Sequence, residues 1–551
     1  MTVIIDFFKK YYFIFLLGIF LFLGFITIIS KSPTSDEASH HIASGYVILK
    51  KGDFRFSTEA PPLARCISAF PMLFMRVNLP SERSFWARED RGEFSREFLY
   101  VKNNSSGLFV FGARVMMLFL SCFGALFLYV WTLKNLSRLA AFFVIFLYLF
   151  SPNILAHSAL ATTDICATVF IMVSCLLFWD FLSRNSCKQM IFTGIFLGFA
   201  LLSKFTAIFL IPIYIAVFLT KSFFVPGKKY KKLFFGIFVI ALFTVWMGYG
   251  FEVKPMFEDV MRKDEKEEFA RGILFKFGDN AVSRGMEFLE KNPIPLSSYL
   301  LGLIGIMKHS KEGSNVFFLG VWSEKGNPLY YVIAWLIKTL IPGIIFFILG
   351  LVGIFISRGN KYKKFAVYLI VIISVFLISA SLSNLQLGLR YILPVDPIIF
   401  ILTAIGICEI IKRYRIAVII SYGLLMWYIF ESFFICPNYL AYFNEFIGGP
   451  ANGYKYLRDS NLDWGQDLPA LKKYMDDNDI VKVKLVYLGG ADPSYYGIKY
   501  EILEADEYIK PRATIYAVSA QYLEHARWSA EAIPIKKIGY SIFVYDFRRT
   551  K

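Results

Sequence analysis

Two carboxylates stand side by side at Asp36-Glu37, after Pro33-Thr34-Ser35 and before His40-His41, a few residues beyond the first long apolar run. An acid pair at such a boundary is placed to accept a proton from a hydroxyl or to hold a cation. The same residues also suit a helix start, with Ser35 as cap and both acids in the first turn, where they complement the helix dipole. The adjacent histidines would diverge on a helix, which argues against a metal site. Asp164 closes the segment Ser151-Pro152-Asn153-Ile154-Leu155-Ala156-His157 … Ala161-Thr162-Thr163-Asp164 between two apolar runs. It is either a capping residue beside Thr162 and Thr163 or a functional acid, since a carboxylate at that depth is costly. Lys204 and Arg390 are cations near the ends of apolar runs. Each either snorkels to the interface or holds an anionic phosphate, Arg in a bidentate manner and Lys as a point charge. Together the four groups suggest a phosphate-bearing lipid substrate and a base.

Such residues need a membrane frame, and the composition supplies one. The chain is 56% hydrophobic with 59 Phe, has a mean hydropathy of +0.53, and carries a net charge of +17. Long uncharged runs exclude a soluble nucleic-acid binder, and seven Cys in 551 residues exclude a disulfide scaffold. Runs of roughly 20 apolar residues predict membrane helices. They fall near 11–30, 108–130, 139–156, 163–183, 190–203, 205–220, 233–250, 329–357, 365–382, 391–410 and 416–435. The first is too long for a signal-peptide core and has no cleavage site after it, so it counts as a span. Residues 190–220 read as two short helices turning near Ser203-Lys204, because Lys204 interrupts the run.

Charge sets the predicted orientation. With about eleven spans, the segments 1–10, 131–138, 184–189, 221–232, 358–364 and 411–415 share one side and hold eighteen cations against Asp6 alone. The positive-inside rule makes that side cytoplasmic. The rest of the chain holds 41 cations and 41 acids, so the excess charge is a topology signal. The expected plan is a polytopic α-helical membrane domain over 1–435, with the N-terminus inside and outer loops at 31–107 and 251–328. A small extracytoplasmic α/β domain follows over 436–551, with a helix near 467–476 and strands at 482–488, 514–518 and 541–546. In the first outer loop, Pro61-Pro62 predicts a helix start, and Ser81 to Tyr100 an amphipathic stretch in the interface.

The ordered set of motifs resembles the GT-C superfamily of membrane glycosyltransferases, and within it family 39, the protein O-mannosyltransferase-like enzymes and their bacterial lipid-carrier-dependent relatives. The matching pieces are Ser35-Asp36-Glu37, Glu59-Ala60-Pro61-Pro62-Leu63, Ser151-Pro152-Asn153 with Thr163-Asp164, Leu201-Leu202-Ser203-Lys204-Phe205-Thr206 and Gly388-Leu389-Arg390-Tyr391-Ile392-Leu393-Pro394. Tyr442-Phe443-Asn444-Glu445 and Asp459-Ser460-Asn461-Leu462-Asp463-Trp464-Gly465-Gln466-Asp467 continue the similarity into the C-terminal part. The resemblance implies a GT-C fold in a bacterial inner membrane. It also implies inverting transfer of a sugar from a polyprenyl-phosphate carrier to an extracytoplasmic protein, lipid or glycan acceptor. By position, Asp36 would be the base, Glu37 its partner and Asp164 a second active-site acid, while Arg390 and Lys204 would bind the lipid phosphate. Relatives often carry His or Lys before the Pro-Pro pair; Ala60 stands here, so that contact is missing or replaced by Glu59 or Arg65. His157, Asp463, Trp464 and Gln466 are further candidates for acceptor or sugar contact, Trp464 through a stacking face, although capping and packing explain the C-terminal three equally. No cofactor follows from the residues, and metal dependence stays open. The competing reading is a transporter or flippase for a lipid-linked or polar solute. Such proteins place ionisable groups at the midplane and show repeat symmetry, neither of which this sequence displays.

Overall fold

The computed structural model describes residues 2–56, 58–80, 91–102, 105–222, 228–256, 284, 287–357 and 362–548. Residues 81–90 of the expected amphipathic stretch and most of 257–286 lie outside them. The chain is a polytopic α-helical membrane protein carrying a small C-terminal sheet domain. Among the described residues seven helices are long and apolar enough to cross a bilayer. Two bent helix pairs and the shorter apolar helices Cys187–Ser203 and Phe205–Thr220 fall on the other four predicted runs.

Two of those runs are not the straight spans expected. Helix Arg138–Leu149 meets Pro152–Ser158 at 61°, and Tyr330–Lys338 meets Ile341–Ile356 at 114°. Both second segments have Pro at their first or second position. Proline lacks an N–H and clashes with the preceding turn, so it starts a helix but does not continue one. The break in 190–220 lies where Lys204 predicted it, with that residue extended at φ −157°, ψ 139°.

Thr163–Arg184 and Leu393–Arg413 form the centre, each 83% buried, whereas the other long spans are 28–44% buried and turn Phe, Ile and Val outward. Exposed apolar side chains such as Phe22, Phe355, Ile419 and Phe430 belong to a lipid-facing surface. Small residues allow close helix packing, as expected where lipid gives no hydrophobic drive for association. A Cβ on Gly198 would lie 2.5 Å from Thr244 Cβ, and one on Gly406 would lie 1.7 Å from the Gly350 carbonyl oxygen.

Outside the bundle lie two short hairpins, β1 (Val253–Lys254) with β2 (Ile294–Pro295) and β3 (Val316–Phe318) with β4 (Val321–Ser323). The C-terminal sheet comprises β5 (Val483–Val486), β6 (Tyr500–Glu501), β7 (Ile515–Ser519), β8 (Lys536–Ile538) and β9 (Ile542–Asp546), in the order β6-β5-β7-β9-β8. Strands β6, β5 and β7 are parallel, while β9 and β8 are antiparallel additions. Helix Leu468–Asp477 packs Leu468, Leu471 and Met475 against it. The predicted helix and three longer strands are present; β6 and β8, with two and three residues, are too short to leave a pattern.

The C-terminal part is tied to the end of the first span. Lys31 pairs with Asp467 at 2.5 Å, and the Ser32 and Ser35 amides donate to the Gln466 and Trp464 carbonyls at 2.9 Å.

Candidate active site

The start of the first outer loop forms one turn and a helix. Thr34, rather than Ser35, provides the cap: its amide and hydroxyl donate to Glu37 Oε2 at 2.8 and 2.9 Å. A π-helical turn, Glu37–His41, leads into helix Ile42–Lys51. This turn brings Asp36, His40 and His41 to one cavity of about 360 Å³. Lys204, Arg390, Tyr391 and Glu59 line the same cavity, together with His309, which no local pattern marks.

The charged groups form a linked quartet. Arg390 Nη1 donates to Asp36 Oδ2 at 2.9 Å and lies 4.0 Å from Asp164 Oδ2. Lys204 Nζ donates to Asp164 Oδ1 at 2.7 Å and sits 4.3 Å from the Tyr391 ring centre. Two cations thus face two carboxylates. Burial raises the proton affinity of Asp36, but the Arg390 guanidinium together with the neighbouring His41 and His40 outweighs it and holds the carboxyl below the usual carboxylate range. Burial pushes His41 down to about 4, so its imidazole is neutral at pH 7. Nδ1 of both His40 and His41 is buried and has no hydrogen-bond partner among the described residues.

Several expected residues stand elsewhere. Glu37 is fully buried and does not line the cavity: Arg114 holds both its oxygens at 2.8 Å, and the Ala161 amide donates to Oε1 at 2.7 Å. It fastens the loop to helix Ser106–Asn135 and to the turn before helix Thr163–Arg184, and its acceptor capacity is taken up, unlike that of a catalytic partner to Asp36. Arg65, expected at the lipid phosphate, is buried, is not among the residues lining the cavity, and donates to the Ala60 carbonyl. His157 is buried with Nδ1 3.7 Å from Asp164 Oδ2, behind the cavity wall. Among the described residues, no group of three His, Cys, Asp or Glu is close enough to hold a metal ion.

The C-terminal motif explains how Arg390 is aimed. The Trp464 ring, 2% exposed, stacks on the Arg390 guanidinium with 4.2 Å from Cζ to the ring centre. Its face is therefore covered by a cation and does not offer itself to a sugar. Asn461 Oδ1 accepts from the Leu389 amide at 2.9 Å, and the Ser460 hydroxyl donates to the Leu387 carbonyl. Gly388 between them has φ +103°, and a Cβ there would lie 2.4 Å from Ser460 Oγ, so only glycine fits. Gln466 folds back to accept from the Trp464 amide at 2.8 Å, and Asp463 accepts from the Gly465 amide at 3.1 Å and from Ser519. These polar residues shape the turn beneath Arg390 without reaching the cavity.

Burial pushes Asp463 up to about 7. The folded protein therefore keeps a proton that the unfolded chain releases near pH 4, and stability from this group falls as pH rises from about 4 to 7. Asp463→Asn is expected to flatten that part of the profile, read as melting temperature against pH. An unchanged slope would show that Asp463 does not carry it.

A second missed cation is Lys338. Its Nζ donates to the carbonyls of Leu440, Tyr442 and Asn461, so all three donors are used in joining the bent helix pair to the C-terminal part. A Lys inside an apolar run was the available signal, but sequence alone does not supply three carbonyl partners distant in the chain.

Residues 102–249 match the family described as dolichyl-phosphate-mannose-protein mannosyltransferase. The matched region contains Asp164 and Lys204 but neither Asp36 nor Arg390. No curated protein matches the chain. Among solved structures, ArnT from Cupriavidus metallidurans bound to undecaprenyl phosphate is similar at TM-score 0.49 and 11% identity, over 98% of both chains. The Archaeoglobus fulgidus oligosaccharyltransferase AglB, in complex with an inhibitory peptide and a dolichol-phosphate, is similar at TM-score 0.46 and 13% identity, over 95% of this chain and 71% of that one.

Proposed function

We propose that this protein is an inverting glycosyltransferase that moves a sugar from a polyprenyl-phosphate carrier to an acceptor hydroxyl or amine. The observation that carries the reading is the convergence of Asp36, Lys204 and Arg390 at one cavity, with the buried Asp164 paired to Lys204 and near Arg390 behind its wall. That cavity adjoins an apolar groove of about 300 Å³, the two sharing Phe205, Thr206, Ile306 and Tyr391. The pairing fits an amphiphile, with a charged head in the polar cavity and an isoprenoid chain in the groove. The match of residues 102–249 to a family named for a lipid-phosphate sugar donor supports the same assignment.

In this reading Arg390 and Lys204 bind the phosphate and stabilise the negative charge that grows on it as the glycosidic bond breaks. Asp36, ionised at neutral pH, accepts the proton of the attacking acceptor on the opposite face of the sugar. Asp164 keeps Lys204 and Arg390 in position and sets the local charge. The basic segments lie at the other end of the helices by span parity, so we place the site on the extracytoplasmic side of a bacterial inner membrane. The membrane domain is assigned to 1–435 and the extracytoplasmic C-terminal domain to 436–551.

Arg390→Ala tests the phosphate assignment. Loss of a charge-assisted bidentate contact worth about 1.5–3 kcal/mol should weaken undecaprenyl-phosphate binding by roughly 10- to 150-fold. Acceptor affinity should change far less. Equal loss for both, measured by titration in detergent, would remove Arg390 from the phosphate.

A further inference from the structure

The C-terminal sheet has a crevice that the quartet does not use. From β5 the chain passes to β6 on one side, then crosses to β7 on the other, and both pairings are parallel. Ligands of open parallel sheets bind outside the carboxyl ends of the strands, where successive connections diverge in this way. A cavity of about 640 Å³ lies at that position, within the size range of small-ligand sites. Its lining comes from the loops after β5 and β7, from β6 and its following turn, and from the first outer loop.

The lining chemistry is specific. Tyr500, Tyr508 and Tyr522 are half-buried, and none of their hydroxyls has a hydrogen-bond partner among the described residues. His525 lies edge-on to Tyr522, with ring centres 5.5 Å apart. The charged residues in the wall, Arg96 and Asp492, pair with each other at 3.7 Å. The turn after β5 leads into a 3-10 segment, Pro493–Tyr496, too short to present a helix dipole to an anion. Among the described residues, balanced charge and no cationic cradle disfavour a nucleotide or a phosphate. Phenol rings with available hydroxyls instead suit a neutral polyhydroxylated ring, whose C–H face packs on the aromatics while its hydroxyls meet the rim.

The crevice is also joined to the quartet. A Cβ on Gly490 in its floor would lie 2.9 Å from Ala38 Cβ and 3.4 Å from the Ser35 carbonyl oxygen. Ala38 and Ser39 line this cavity, whereas Asp36, His40 and His41 of the same turn line the other. One short helical turn thus separates the two.

We propose that this crevice binds a neutral saccharide unit of the acceptor. The acceptor role rests on the glycosyl-transfer reading above; the saccharide chemistry does not. The full-length protein in lipid nanodiscs is titrated with mannobiose, cellobiose and N,N′-diacetylchitobiose, followed by saturation-transfer NMR. At least one disaccharide is expected to bind, and Tyr508→Ala/Tyr522→Ala to weaken it about tenfold or more. The corresponding Tyr→Phe pair should retain part of the affinity, because it keeps the ring faces. Undecaprenyl-phosphate binding, measured on the same samples, should be unchanged in both variants and so reports intact folding. If no disaccharide binds the wild type, or the Ala pair binds as well as the wild type, the proposal is overturned. Binding of a Ser/Thr-rich peptide at this crevice, with no saccharide bound, would overturn it equally. Disaccharide binding without any undecaprenyl-phosphate binding would instead uphold the crevice and remove the transferase reading.

Discussion

Replacing Asp36 with Asn is expected to lower sugar transfer by about 10²- to 10⁴-fold, the usual contribution of a general base. Asn keeps the size of the side chain but accepts no proton. It also leaves Arg390 without the carboxylate at 2.9 Å, so carrier binding should be retained or tightened while turnover is lost. The measurement is single-turnover transfer with a lipid-linked sugar, beside equilibrium binding of the carrier. Transfer at close to the native rate would remove Asp36 from the role of base. In the resting arrangement, Asp36 holds the same guanidinium that the donor phosphate needs. Phosphate arriving at Arg390 competes with this pairing, and a released Asp36 is a stronger base than a paired one.

The second large effect concerns Glu37, one residue along, and is opposite in kind. Glu37→Gln or Arg114→Ala leaves one member of a fully buried ion pair without its partner, and breaking such pairs costs about 3–5 kcal/mol. Thermal unfolding in detergent should fall sharply for either variant, with poor yield from membranes. Replacing both residues with Gln should recover part of the loss, because no uncompensated charge remains. A Glu37→Gln protein that melts like the native one but transfers no sugar would return Glu37 to the chemistry.

Asp36 and Glu37 show what the sequence discloses and where it stops. Residue type, boundary position and neighbouring helix signals are shared by both, so the pair reads as one feature. Their separation depends on Arg114 and Arg390, 77 and 354 residues away, which local pattern does not identify. The membrane helices were readable because length and apolarity are local properties, and the break at Lys204 was readable for the same reason. The bends at Ser151-Pro152 and before Pro342 do not show as breaks because each run is apolar on average, although Ser151-Pro152-Asn153 marks the first and Lys338-Thr339 with Pro342 the second. Asp164, Lys204 and Arg390 were selected as charges out of place, and the structure brings them together. Trp464 reads either as a sugar platform or as a packed ring, and its contact with Arg390, 74 residues away, is what the motif alone does not disclose. His309 was not recognisable, since nothing in its own neighbourhood distinguishes it from any helical histidine.

The hydrogen bonds from Ser32 and Ser35 to residues 464–466 also bear on when the site comes into being. They join points about 430 residues apart in the chain, and the Ser32 hydroxyl adds a contact to the Gly465 carbonyl at 2.9 Å. A ribosome that has passed residue 390 has already delivered all four charged groups to the membrane. Arg390 at that stage has neither the Asn461 and Ser460 clamp on its backbone nor the Trp464 ring beneath its guanidinium. The geometry of the proposed site is therefore a late product of synthesis, completed when the segment around 460–467 folds back onto residues 31–35. A partly made chain, though inserted and carrying every charged group of the quartet, is a silent one.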